Sequence, residues 1–322
     1  ERLFFNYSLF NRTHFEQIKL VKANYFLQIE ETVREVKQFE ISDLFVKTPI
    51  KGRGVLKQLS KLFVQRAKTY LPNEKFALSF TSGFDGRTLL SISQHYSMEV
   101  NAYAFGTKDS DDLTIPQQQA ELLKIPFDSI LLNSNYVHNY SFQKGMEMIE
   151  RSCGTASFAR AHYVYAAEIL SQSTNYMITG NFGSELFRAM HNPGVMVSKE
   201  LIDIFSSRND DDWISKLRNS KKWSYLNPEA DFEDAFKGLI ASIKEFKGKI
   251  NHLSINQAFY VFVLDEVFRK YFGPEIKMQQ YYIVNRAPFI DYQFVEFLFR
   301  TYYCGLYSDF FTSNPIKRFK GQ

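Results

Sequence analysis

The spacing of apolar positions changes several times along the chain, and each change marks an element. From Gly54 to Leu71, Val55, Leu59, Leu62, Arg66/Ala67 and Tyr70 recur at helical spacing, which predicts an amphipathic helix ending at Pro72. Beyond it, short apolar runs at Lys75–Phe80, Glu99–Phe105 and Phe127–Leu132 read as strands, with helices at Arg87–Gln94 and Thr114–Lys124 between them. Strand and helix in strict alternation predict an α/β fold, a parallel sheet with flanking helices. Two more helices are expected over Val137–Arg151 and Ala161–Gln172, after which "YMITGNFGSELFR" reads as strand, loop and helix start. Past about residue 200 the pattern is mostly helical, as in "FEDAFKGLIASIKEF" and "NQAFYVFVLDEVFRKYF", giving a mostly helical C-terminal half.

The opening stretch is different. "LFFNYSLF" and "NYFLQIEE" read as strands joined by "NRTHFEQIKLVKA", in a segment too short to bury a core of its own. We therefore place a boundary here, with 1–48 as the end of something larger and 49–322 as the main domain.

Composition narrows the class. The 322 residues are 45% apolar and 23% charged, as in a soluble globular protein. No apolar run reaches the roughly 18 residues that span a bilayer, and no signal-peptide pattern opens the sequence, so a cytoplasmic location and no membrane partner are the expectation. The net charge is +4, from 39 basic and 35 acidic residues spread along the chain, which is too weak a footprint for nucleic acid. Cys153 and Cys304 form no Cys-x-x-Cys pair and are expected to be buried thiols. The six histidines show no metal spacing. "NDDDW" reads as a helix-capping acidic run, and "KGRGVLK" as a loop before a helix.

Candidate chemistry sits in "FALSFTSGFDGRTLL". Ligands of a parallel sheet bind beyond the carboxyl ends of its strands, where backbone N–H groups and a helix N-terminus face outward. Thr81 to Gly86 falls at that place. Ser82, Gly83 and Gly86 keep the loop small enough for a phosphate to reach backbone, and Thr81 and Ser82 add hydroxyl donors. Asp85 would repel a phosphate unless a cation lay between them, which points to Mg²⁺. The loop is neither a Gly-x-x-x-x-Gly-Lys-[ST] nor a Gly-x-Gly-x-x-Gly motif. Later blocks add a strand end at Phe105 and Gly106, a second small-residue loop with Glu185, and "NRAPFIDYQFVEFLF" with Arg286 and Asp291 around Pro288.

Together these blocks resemble the synthetase domain of asparagine synthetase, a PP-loop (adenine-nucleotide alpha-hydrolase-like) member of the ATP-pyrophosphatase group. Thr81-Ser82-Gly83-Phe84-Asp85-Gly86 stands where that family has Ser-Gly-Gly-x-Asp-Ser. Thr179-Gly180-Asn181-Phe182-Gly183-Ser184-Glu185-Leu186-Phe187-Arg188 stands for Ser/Thr-Gly-x-Gly-x-Asp-Glu-x-Phe-Gly, and Arg286-Ala287-Pro288-Phe289-Ile290-Asp291 for Arg-x-Pro-Phe-Leu-Asp. The resemblance covers roughly residues 50 to 322 in the right order, and residues 1–48 resemble the closing strands of the family's N-terminal glutaminase domain. The sequence opens at Glu1 with no cysteine to release ammonia and closes on "IKRFKGQ", so it reads as a piece of a longer protein.

The resemblance implies an ATP-dependent, amide-forming, AMP-producing ligase of asparagine biosynthesis type. It would activate a small carboxylate as an acyl-adenylate with release of pyrophosphate, and use ammonia from a glutaminase (amidotransferase) domain or subunit outside this chain. By position, Thr81, Ser82, Gly83 and Gly86 would cradle pyrophosphate. Arg87 would add positive charge, and Leu78, Phe105, Thr179 and Gly180 would bracket the adenosine. Asp85 and Glu185 would hold Mg²⁺, Arg188 would contact phosphate or an anionic substrate, and Lys320, with Lys317 as the alternative, would stabilise the leaving phosphate. The departures bear on the substrate. Ser184 replaces the family's second metal-binding aspartate, Asn181 replaces a carboxylate of asparagine synthetase, and Gly86 replaces a hydroxyl donor. Aspartate is therefore a doubtful substrate, and a degenerate nucleotide-binding homologue without turnover is the alternative. A PP-loop enzyme acting on RNA is disfavoured by the charge balance.

Overall fold

The computed structural model describes residues 1–45, 48–187, 197–227, 231–301 and 303. In chain order its strands are β1 (Tyr25–Ile29), β2 (Val33–Lys37), β3 (Phe76–Ser79), β4 (Val100–Gly106), β5 (Phe127–Leu131), β6 (Tyr176–Ile178) and β7 (Val284–Arg286). β1 and β2 form an antiparallel hairpin, while the other five make a parallel sheet in the order β5-β4-β3-β6-β7. The α/β reading of the sequence holds.

The chain divides into two compact units. The sheet lies in the unit formed by Lys51–Leu186 and Phe272–Leu298. β3 is buried along "FAL" on both faces, as a central parallel strand between helical layers must be. One such layer is explicit: Ala166, Ala167 and Leu170 of the helix Ala161–Ser171 pack on Ala77, Tyr103, Ile130, Met177 and Ile283. The paired alanines let that helix approach the sheet closely. The helix Val55–Lys68 buries Val55, Leu59 and Ala67, as its spacing predicted, with Phe63 buried in place of the expected Leu62, and stops at Lys68 rather than running to Pro72; Thr69 closes its last turn. Gly54, at φ 96°, starts it in a left-handed conformation that suits glycine.

Strand order places the functional edge. The chain builds β3, β4 and β5 outward on one side, then crosses back to lay β6 against the other side of β3. The order therefore reverses between β3 and β6, and the loops leaving those strands flank a switch-point crevice.

The other unit comprises Glu1–Ile50, Phe187–Tyr271 and Phe299–Gln322. Its helices Lys199–Ser206, Glu233–Lys249 and Ile255–Phe262 share an aromatic core of Phe205, Phe246, Phe259 and Phe262. "NDDDW" caps a helix as read: the Asn209 side chain accepts from Asp211 N–H, and Asp210 to Asp212 form the first turn. Buried charges tie down the N-terminal segment. Glu266 accepts the Phe10 N–H at 2.6 Å, Arg269 donates to the carbonyls of Val21 and Phe10, and Lys270 donates to those of Ser8 and Phe10.

Some expectations fail for local reasons. "LFFNYSLF" contains a short helix, Arg2–Phe5, that buries the adjacent Phe4 and Phe5; a strand would have sent these side chains to opposite faces. Cys153 is exposed, not buried, because it lies in the left-handed turn (φ 49°) that leaves the helix Phe142–Arg151. Cys304 lies outside the described residues.

Candidate functional site

The first loop begins where β3 ends. Phe80 still donates its N–H to the Tyr103 carbonyl at 2.8 Å, then Thr81 and Ser82 leave the sheet and Gly83 caps the helix Phe84–His95. No side chain caps that N-terminus, so its first-turn N–H groups are available to an anion. Gly86 is required by packing. A Cβ there would lie 2.7 Å from the Ser79 carbonyl oxygen and 3.3 Å from Phe80 Cα, both backbone atoms. The helix thus starts directly on the strand end. Arg87 folds back, donating from Nε to the Gly83 carbonyl at 3.2 Å while its guanidinium covers the Phe84 ring at 4.4 Å. Phe84 itself is 79% exposed at the mouth of the loop.

The second loop leaves β6 beside it. Thr179 is buried, and its hydroxyl donates to Asn285 Oδ1 at 3.0 Å; Asn285 in turn donates to Gln279 Oε1 at 2.7 Å. Gly180 and Gly183 then close on Asp85. Built Cβ atoms would stand 2.8 Å from Asp85 Cβ and 2.6 Å from Asp85 Cγ respectively. Between them Phe182 adopts φ 73°, a conformation costly for an aromatic residue, and packs its ring on Phe272 at 5.1 Å. Ser184 completes the contact, its N–H and its hydroxyl both donating to Asp85 Oδ2, at 3.2 and 2.9 Å. Glu185 follows, half-buried, in the short helix Gly183–Phe187.

The structure therefore brings Asp85, Gly180, Gly183 and Ser184 together, with Thr81, Ser82, Gly83, Gly86 and Arg87 on the adjoining loop. Leu78 lies fully buried within β3. Phe105, near the end of β4, touches His162 at 5.2 Å and Tyr163 at 5.1 Å. Burial, with Arg160 nearby, lowers the His162 pKa to about 4, so this ring is neutral at pH 7. Arg160 also pairs with the buried Glu275, whose carboxyl is nonetheless raised to about 7 by desolvation. Arg188, Lys320 and Lys317 lie outside the described residues.

The Arg286–Asp291 block has a different local role. Asp291 is buried, and Arg66 grips it through Nε, at 3.1 Å to each oxygen, and through Nη2 at 2.9 Å. Tyr70 and the Phe294 N–H also donate to it. Arg286 donates to the Tyr70 carbonyl at 3.0 Å and lies over the Tyr176 ring. The block thus clasps the helix Val55–Lys68 to β7. Sequence reading marked Arg286 and Asp291 as motif residues, placed Arg66 and Tyr70 only on the stripe of a helix, and passed over Asn285. Asn285 had one usable signal, its place immediately before Arg286.

The donors fit phosphate well. The glycine-tight turn, the uncapped helix start and the hydroxyls of Thr81 and Ser82 form a small anion cradle. For a divalent cation the set is leaner: one carboxylate, Asp85, within contact of hydroxyl and backbone groups, and among the described residues no group of three His, Cys, Asp or Glu that could hold a metal ion. Such a set suits Mg²⁺ that keeps water and phosphate oxygens, not a cage built wholly of protein ligands. Among the described residues no helix is long and apolar enough to cross a membrane. A family model described as asparagine synthase matches residues 73–302, which takes in both loops and the Arg286–Asp291 block but not Arg66 and Tyr70. No curated protein matches the chain.

Proposed function

Since the chain belongs to the asparagine synthase family, whose activity is ATP-dependent amide formation, we propose that it activates a small carboxylate at the β3–β6 switch point. A carboxylate oxygen attacks the α-phosphorus of ATP, pyrophosphate leaves, and an amine then displaces AMP from the acyl-adenylate, losing a proton as the amide forms. Positioning and charge neutralisation carry such a reaction, with little covalent help from the protein.

The observation that carries this reading is the cradle at Thr81–Gly86, where the uncapped helix start faces the crevice with Gly86 pressed on the strand end. In this reading the backbone N–H groups of the first turn, with Thr81 and Ser82, hold pyrophosphate. Arg87, kept in place by Phe84 and the Gly83 carbonyl, would add positive charge for that anion. Phe105, Thr179 and Gly180 border the adenosine, and Asp85, with Glu185 in the neighbouring loop, supplies negative charge for Mg²⁺, which when bound neutralises the phosphate charge that builds up as pyrophosphate leaves. Arg188 and Lys320 complete the set on the strength of the motif alone. Ammonia would come from a glutaminase domain or subunit, to which residues 1–48 would belong or lead. A cytoplasmic location suits this chemistry.

Calorimetry of ATP binding with Mg²⁺, on the wild type and on Asp85→Ala, tests the site. A pyrophosphate-release assay over a set of small carboxylates with ammonium as the amine tests the reaction. Tight binding that Asp85→Ala weakens, together with carboxylate-dependent release, is the expected result. Binding with no release from any carboxylate would favour a nucleotide-binding homologue without turnover, the reading to which Ser184 at the side of Asp85 lends weight.

A further inference from the structure

Asp85 presents an unusual balance for a carboxylate beside a phosphate cradle. Its Oδ2 accepts both the N–H and the hydroxyl of Ser184, which occupies the two lone-pair directions of that oxygen. Its Oδ1 lies against Gly183, 2.7 Å from where a Cβ would stand, and its Cβ is as close to Gly180. The side chain is therefore wedged between the two loops. All its hydrogen-bond donors are neutral, and among the described residues no Lys, Arg or His forms an ion pair with it.

We propose that Ser184 closes Asp85 to metal in the free protein, so that a divalent cation enters this site only as a complex with the nucleotide's phosphates. The proposal rests on the nucleotide reading of the loop. A hexahydrated Mg²⁺ gives up water reluctantly and needs more than one anionic oxygen to be held by protein alone. Here one oxygen of the single carboxylate at the loop contact is already saturated by Ser184, whose hydroxyl would have to turn away before that oxygen could coordinate. Phosphate oxygens supply the missing ligands and charge, and Asp85, carrying a negative charge without a cationic partner, is then drawn to the incoming complex rather than to the bare ion. The serine pair also fixes the second loop against the first before any ligand arrives, a task that a bridging cation would otherwise perform.

Electron paramagnetic resonance of Mn²⁺ distinguishes these states, because the free ion gives a sextet that is lost on binding to protein. With wild-type protein and Mn²⁺ alone the sextet should persist up to concentrations on the order of millimolar, and addition of ATP, which by itself also quenches the sextet, should bring Mn²⁺ onto the protein, read as Mn²⁺ retained with the protein in equilibrium dialysis. Ser184→Asp, which sets a second carboxylate against Asp85, should bind Mn²⁺ without nucleotide at least roughly tenfold more tightly than the wild type. Ser184→Ala, which frees one lone pair but adds no charge, should fall between them. Stoichiometric Mn²⁺ uptake by the wild type without ATP would overturn the proposal, as would a folded Ser184→Asp protein, judged by its thermal melt, with unchanged Mn²⁺ affinity. If Ser184→Asp does not fold, the wild-type and Ser184→Ala arms still decide. Failure of ATP to recruit Mn²⁺, when none binds alone, would overturn the nucleotide reading and the proposal with it, by a signature distinct from uptake of the bare ion.

Discussion

Asp85 and Asp291 both stand at the start of a helix that follows a strand of the same sheet, and both belong to motif blocks of the family, yet their surroundings are opposite. Asp291 is buried and meets a bidentate guanidinium, a tyrosine hydroxyl and a backbone N–H. Burial alone would raise its carboxyl, but the Arg66 hydrogen bonds and charge outweigh that and leave it lowered. Asp85 is half-buried and meets only the neutral donors of Ser184. A compensated carboxylate is a fastener, whereas an uncompensated one, held in place by neutral groups, keeps its charge for a visitor. Motif matching treats the two alike; the count of cationic partners separates them.

Removing the fastener should have the larger effect. Asp291→Ala leaves Arg66 without its countercharge and the helix Tyr292–Phe299 without its N-terminal acceptor, and should cost about 3 kcal/mol in urea unfolding. Arg66 is partly exposed, which keeps the figure toward the low end of what breaking a buried pair costs. A loss below about 0.5 kcal/mol would show that the clasp contributes nothing measurable and would remove the contrast with Asp85.

Asp85→Asn should do the reverse. The amide preserves the shape and an acceptor for Ser184, so unfolding free energy should stay within about 0.5 kcal/mol of wild type. Affinity for ATP in the presence of Mg²⁺, read by calorimetry, should drop by one to two orders of magnitude, or roughly 2 kcal/mol. Equal loss of stability and affinity would mean that Asp85, too, is chiefly structural. Gly183→Ala tests the seat rather than the charge. Alanine is the better helix former by about 1 kcal/mol, yet its Cβ would meet the Asp85 carboxylate. Stability should change little while nucleotide affinity falls roughly tenfold, a split that sheet damage could not produce.

How far the sequence carried this contrast follows from what each feature depends on. The strands β3 and β4 were readable because burial on both faces leaves apolar runs, and the loop after β3 was readable because its small residues stand next to that run. β7 was not, since three residues, one of them the buried Asn285, carry no period. The Asp85–Ser184 contact joins positions far apart in sequence across parallel strands, and substitution of an aspartate by serine there reads only as a missing ligand until the hydroxyl is seen to donate. The Arg66–Asp291 clasp was hidden for the same reason. Arg66 fits the helical stripe of Val55–Lys68 as one more polar neighbour, and only the fold gives it a partner.

Glu275 offers the smallest and most discriminating test, because it stands between the two cases. Like Asp291 it faces an arginine, Arg160; unlike Asp291 it uses one oxygen for that pair, while its buried Oε1 has no hydrogen-bond partner. Desolvation therefore wins over the Arg160 charge, and the carboxyl is raised to about 7. A group whose pKa is higher folded than unfolded gives stability that is complete below its ordinary carboxylate range and is lost as pH rises through about 7. For Asp291, lowered instead, the contribution is present at neutral pH and lost on acidification. The two carboxylates should thus pull the melting temperature in opposite directions with pH. Glu275→Gln deletes one of the two slopes, so the difference in melting temperature, variant minus wild type, should climb by a few degrees between pH 5 and pH 8. Asp265, also raised to about 7 by burial, is present in both proteins and cancels in that difference. A difference that stays flat across this range would mean that Arg160 holds Glu275 ionised throughout, and that one oxygen paired to a guanidinium compensates a buried carboxylate as fully as the two-oxygen grip on Asp291.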